Sequence, residues 1–147
     1  MKNESNGNCY KEVAFVKWKS DDRCYAAARL DHMSTEMSES FCKSQFKGSL
    51  ACLSNQRRIR DMETCMDVHG STSAAYWFGL VAVDNLDFDG IWFNKKTLVG
   101  KRSDWPWDAQ QTKEGCVAVS KRTGRWLWKT QNCLSKNLFI CQYTGCP

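Results

Sequence analysis

The sequence predicts an α+β fold, a single domain stapled by disulfides. Three observations predict it: helical periodicity confined to the first half, a succession of short β-rich runs after Gly70, and nine cysteines in 147 residues. Helices first and many short strands afterwards is the pattern of a segregated α+β architecture, because strands without intervening helices pair with one another. The length is that of one domain, divided into a polar lead over residues 1–8 and a single domain over 9–146. Hydrophobic residues make up 42%, enough for a sizeable core, so the disulfides assist folding and do not replace a core.

The elements follow in order. The lead, Met-Lys-Asn-Glu-Ser-Asn-Gly-Asn, is polar throughout and is expected to be disordered. It lacks the basic-then-apolar pattern of a signal segment, so it reads as the start of an expressed fragment whose signal or membrane anchor lies elsewhere. Asn3-Glu4-Ser5 is a glycosylation sequon within it, usable in a chain secreted by a eukaryote. Met33, Met37 and Phe41 recur at i, i+4 and i+8, one face of a first helix with Cys42 beside it. Residues 48–53 read as a short strand. Ser54 is the expected N-cap of a second helix, whose apolar face carries Ile59, Met62 and Met66. Later strands centre on 76–80, 91–93, 116–120, 125–128 and 138–143. No run approaches the ~18 apolar residues needed to span a bilayer.

The cysteines are Cys9, Cys24, Cys42, Cys52, Cys65, Cys116, Cys133, Cys141 and Cys146, and the histidines are His32 and His69. None forms a Cys-x-x-Cys pair, which argues against zinc and for a disulfide framework in an oxidising compartment, secreted or in the ectodomain of a membrane protein. An odd count leaves one thiol over. Cys146, near the terminus, is the expected one, giving a disulfide-linked homodimer or a capped monomer. Cys52 lies just before the second helix and Cys65 about ten residues into it, roughly 15 Å away and too far for a bridge. Each is expected to pair with Cys146, Cys9 or another chain.

Net charge is +5, from 21 Lys and Arg against 16 Asp and Glu. The basic clusters are Arg57-Arg58-x-Arg60, Lys95-Lys96, Lys101-Arg102 and Lys121-Arg122-x-x-Arg125. They read first as solvated faces, and as a functional alternative they suit a sulfated glycan or an acidic protein surface. No interleaved basic-aromatic motif points to nucleic acid. Neither histidine sits in a nucleophile turn, so the sequence offers no catalytic residue and implies no cofactor. Asp84, Asp87 and Asp89 are too close in sequence for the opposed carboxylates of a glycosidase; they read as turn formers.

The second half contains Trp77-Phe78-Gly79-Leu80, Asp89-Gly90-Ile91-Trp92, Trp105, Glu114-Gly115-Cys116-Val117, Trp128 followed by Cys133, and Phe139-Ile140-Cys141. With Cys24-Tyr25 and Cys42 ahead of them, these motifs resemble the C-type lectin-like family in its long form, over residues 24–143. The resemblance implies two helices, two small antiparallel sheets and a long loop region. It implies disulfides Cys42–Cys141 and Cys116–Cys133, with Cys9–Cys24 as the added pair of the long form, here spaced more widely than is usual. Trp77, Trp92 and Trp128 are expected in the core, and Gly79 allows backbones to approach closely.

Sugar-binding members hold calcium with Glu-Pro-Asn or Gln-Pro-Asp in the long loop, a Glu before a cysteine, and Trp-Asn-Asp on the next strand. Here the loop reads Trp105-Pro106-Trp107-Asp108-Ala109-Gln110-Gln111, and Trp128-Lys129-Thr130 replaces Trp-Asn-Asp. Of the usual ligands Glu114 remains, far short of the six to eight oxygens calcium takes. The auxiliary acidic position is Gly115, and Asp84, Asp87 and Asp89 offer at most a weak cation site. No metal site is expected. Trp107 and Trp126 are extra tryptophans, and Trp beside Arg is the composition of a protein-binding hot spot. Arg102, Trp107, Arg125, Trp126 and Lys129 are therefore the candidate ligand-binding residues, with Trp107 folded back as a loop plug as the competing reading. The expected function is calcium-independent recognition of an extracellular or cell-surface protein. The alternatives are a glycan-binding lectin, for an anionic glycan without calcium or a sugar with residual calcium dependence, and a structural or venom-type interaction protein.

Overall fold

The computed structural model describes residues 9–83, 88–92, 97–100, 105–108 and 115–145, with backbone alone for 88, 89 and 97–100. In chain order the elements are β1 (Tyr10–Lys11), β2 (Phe15–Ser20), β3 (Arg23–Ala28), α1 (Thr35–Phe46), β4 (Ser49–Leu50), α2 (Gln56–His69), β5 (Ala75–Ala82), β6 (Phe88–Trp92), β7 (Thr97–Gly100), β8 (Gly115–Arg122), β9 (Arg125–Gln131) and β10 (Leu138–Tyr143). The opening strands are implied in the sequence only by the family resemblance at Cys24-Tyr25. Along β2, Val16, Trp18 and Ser20 alternate inward, the period of a half-buried strand. Asp21, at φ 57°, turns the chain into β3. The Ala26-Ala27-Ala28 run of β3 carries helix-forming residues, yet it lies buried between β2 and β10, so sheet pairing overrides propensity.

Both expected helices form, with two corrections. The α1 face turned inward is Ser38, Glu39 and Cys42. Met37 is 57% exposed, and Met33 precedes the helix in a bridge with Asn137. The helix is fastened by polar and disulfide links: Leu50 N–H donates to Glu39 Oε1 at 2.8 Å, and Cys42 bonds Cys141. Phe41 keeps a half-buried place against Phe15 and Phe139. The second helix is capped by Asn55, one residue beyond the expected Ser54, its side chain accepting from Arg58 N–H at 2.9 Å. Ile59, Met62 and Met66 are buried as the periodicity predicts, together with Cys65.

Strand β10 organises the sheet. It pairs antiparallel with β3 and β4 and parallel with β5 through Leu138↔Tyr76 and Phe139↔Trp77. Strands β5, β6, β7, β8 and β9 form the other lobe. The two antiparallel sheets of the expectation are thus present, joined through that parallel pair into one hydrogen-bonded sheet. Gly79 brings β5 close to the end of β4 as well. Its N–H donates to Ala51 O at 2.7 Å, and a Cβ there would lie 3.0 Å from the Ala51 and Leu50 carbonyl oxygens. Trp77, Trp92 and Trp128 are buried as expected.

Cys42–Cys141 and Cys116–Cys133 are bonded as the resemblance implies. Cys9 bonds Cys65, with Cα atoms 5.7 Å apart, which replaces the expected Cys9–Cys24 pair. The physical reason is that α2 packs against β1 and β2, bringing Cys65 under the start of the hairpin. Cys24 is also disulfide-bonded. Cys52 keeps its thiol and is buried. The lead with Asn3, and Cys146 with the dimer expected through it, lie outside the described residues.

Candidate functional site

The long-loop end is built on the β8–β9 hairpin. Strand β9 reads Arg-Trp-Leu-Trp-Lys-Thr-Gln, and its burial alternates, with Trp126, Trp128 and Thr130 inward. Trp128 is fully buried under four aromatic rings. Phe78 and Trp92 meet it with centroids at 5.0 and 6.3 Å, Trp105 stacks at 5.3 Å, and Trp107 meets it edge-on at 5.5 Å and 89°. Residues 105–108 run beside β9 and pair with it at one bridge. Trp107 and Trp128 form a parallel bridge, closed by Trp128 N–H to Pro106 O at 2.7 Å and Asp108 N–H to Trp128 O at 2.8 Å. Ring contacts and backbone pairing hold the first part of the loop down.

This geometry divides the candidate set. The ring contact and the bridge put Trp107, half-buried, on the Trp128 side of β9. Arg125 and Lys129 fall on the outward positions of the same strand, so the sheet separates them from the tryptophan. Trp126 is 4% exposed, and its Nε1–H donates to Asp67 Oδ1 at 2.7 Å. It is a packing residue, a correction that follows from strand period: sharing a face with Trp128 means sharing its burial. Arg102, residues 109–111, Glu114, Asp84 and Asp87 lie outside the described residues, as does the Asp89 side chain. Lys129 is half-buried, and Thr130 is buried beside the Trp107 bridge. His32 is exposed and His69 closes the last turn of α2. Among the described residues no three His, Cys, Asp or Glu side chains gather as a metal site would require.

Two acidic residues that the sequence reading missed organise the basic ones. Asp108 is buried and binds the Arg122 guanidinium. Asp67, on α2, accepts from Lys121 Nζ at 2.6 Å as well as from Trp126. Burial raises the Asp67 carboxyl, and the Lys121 and Trp126 hydrogen bonds outweigh it, leaving it below its ordinary value. Arg57 and Arg58 are likewise engaged by Asp21 at 3.5 Å. Much of the basic character in these clusters is therefore spent within the domain. The Asp67 contacts bridge 54 and 59 residues, and no local signal announces them.

A family model described as "Lectin C-type domain" matches residues 31–143. Lithostathine of Rattus norvegicus is 23% identical over 113 residues, covering 77% of this chain and 68% of that protein. Among solved structures, human lithostathine superposes with a TM-score of 0.70 at 19% identity, covering 99% of this chain and 96% of that one. The C-type lectin domain of murine dendritic cell inhibitory receptor 2, solved in complex with an N-glycan, gives 0.67 at 20% identity, covering 94% and 97%. The match over most of the chain, on the disulfides and aromatic core described above, has one reading: this protein is a member of the C-type lectin domain family, a ligand-recognition module.

Proposed function

We propose that the domain recognises an extracellular protein partner without calcium, through the long-loop end of the fold. The observation that carries this reading is the pair Lys129 and Thr130 on β9, beside the Trp107–Trp128 bridge. An ammonium and a buried hydroxyl stand where calcium binding in the family draws on an amide and a carboxylate, and calcium needs negatively charged and carbonyl oxygens. The fixed cation at Lys129 adds repulsion toward a second one. Arg125 and Lys129 on the outer face of β9 make the contact surface of this reading, and Trp107 braces the loop from the opposite side of the strand. Trp126 is left out because it is buried. The disulfides support an extracellular setting, secreted or as an ectodomain.

A glycan ligand is the second reading, favoured by the N-glycan bound to the murine receptor domain. Internal pairing of Arg57, Arg58, Lys121 and Arg122 argues against a polyanion. Two measurements test the proposal. Thermal melts in about 5 mM calcium and in chelator should coincide, since a Kd near ~50 μM would add roughly 2.7 kcal/mol and shift the midpoint by several degrees; such a shift revives calcium-dependent lectin activity. A fluorescent multimer of the domain should stain cultured animal cells in chelator at both about 50 and about 300 mM salt, and lose the staining after surface proteolysis or on Arg125→Ala with Lys129→Ala. Staining that vanishes with salt or with glycosaminoglycan lyases makes the ligand an anionic glycan.

A further inference from the structure

A groove of about 490 Å³ opens between α1, β5 and the Cys116–Cys133 disulfide, within the size range of pockets that take small organic molecules. Its floor includes Leu50, Phe78 and Leu80, all buried core residues. Its α1 wall carries Glu36, Glu39 and Lys43. Leu134 stands at the groove 80% exposed, in a turn held by its own N–H to Asn132 Oδ1 at 2.9 Å.

Glu39 is the informative residue, only 8% exposed. One carboxylate oxygen accepts from Leu50 N–H at 2.8 Å. The other faces Lys43 Nζ at 3.9 Å, beyond hydrogen-bond length, and that lysine side chain is 69% exposed. A carboxylate this buried calls for a close cationic partner, and the solvent-exposed lysine supplies a distant one. Two carboxylates against one ammonium leave the wall net negative, above an apolar floor.

We propose that this groove binds a small organic cation, its apolar body on Leu50, Phe78 and Leu80 and its ammonium on the Glu39 carboxylate in place of Lys43. The site is independent of the loop-end reading and stands or falls separately from it. The complementarity has two parts, an apolar floor that favours a ring or short alkyl chain and a buried anion that selects the charge.

Benzylamine is the probe, with benzyl alcohol as its neutral counterpart and phenylacetate as the anion, titrated into the oxidised full chain by ¹H–¹⁵N NMR. Benzylamine should give saturable shifts at the amides of Ser34, Thr35, Glu39, Leu80 and Leu134. Benzyl alcohol should bind about tenfold more weakly, the difference expected when a charge-assisted hydrogen bond is lost, and phenylacetate should not saturate. Glu39→Gln keeps an oxygen for Leu50 N–H; it should bring benzylamine down to the affinity of benzyl alcohol and leave benzyl alcohol unchanged. Ser40→Trp, from the exposed face of α1 into the groove, should abolish both. Equal shifts from all three probes, shifts elsewhere only, or no effect of either variant in a spectrum that is otherwise native overturns the proposal.

Discussion

Trp107→Ala separates a loop brace from a ligand anchor. The ring is half-buried and edge-on to Trp128, in a segment also tied down by two backbone hydrogen bonds to β9, by Trp105 stacked on Trp128 and by Asp108 on Arg122. A tryptophan carries about 150–250 Å² of surface, so half-burial removes on the order of 100 Å² from water. At about 25 cal/mol per Å² that is ~2.5 kcal/mol, an upper estimate. The edge-on pair with Trp128 adds about 0.5–1.5 kcal/mol, and the alanine methyl retains part of the burial, so the net cost is about 2–3 kcal/mol. Tm should fall by roughly 4–12 °C, at about 2–4 °C per kcal/mol for a domain of this size. That holds unless residues 105–108 detach at a lower free energy than the domain unfolds, which caps the loss in global stability. Hydrogen exchange detects that case, because the Asp108 and Trp128 amides pair across the segment and would lose protection first. An unchanged Tm with both amides still protected refutes the bracing role and leaves Trp107 as a surface residue.

Three further outcomes are expected. A non-reducing digest should join the peptides of Cys9 and Cys65, and Cys9→Ser with Cys65→Ser should cost about 4 kcal/mol by the loop-entropy model for the 56-residue separation; a Cys9–Cys24 peptide would refute the pairing. Burial and the neighbouring Asp67 raise the Glu63 carboxyl above its ordinary value of 4.5. Its protonation therefore favours the folded state: this contribution is full below pH 4.5 and lost as pH rises through the folded pKa, so Glu63→Gln should stabilise the neutral protein and change little in acid. Asp67, with its folded pKa lowered from 3.8, should do the reverse: its contribution is present above that value and lost as pH falls through the folded pKa. Denaturant melts of Asp67→Asn from neutral pH to pH 2 should therefore converge on wild type in acid, and a constant difference would refute the assignment.

How much of the molecule could be read in advance depended on whether the cause was local. The second helix was legible because Ile59, Met62 and Met66 repeat at the helical period, and the late strands because short β-rich runs sit between turns. The opening hairpin was legible only through the resemblance at Cys24-Tyr25, since alanines in β3 signal helix while the sheet around them imposes strand. Met37 fits the helical period and still faces solvent, because the small Ser38 and the disulfide at Cys42 bring the other face inward.

At the site, the sequence by itself determined the family scaffold, the two shared disulfides and the tryptophan core. Residue identity and order carry those facts. Only the tertiary structure decided that Trp126 is buried on Asp67, that Trp107 leans on Trp128 while Arg125 and Lys129 face away from it, that Cys9 pairs with Cys65, and that Glu39 lies in a groove beside a distant lysine. Each depends on which elements pack together across tens of residues, and the burial, pairing and field that result belong to the packed surfaces and are not encoded in either segment alone.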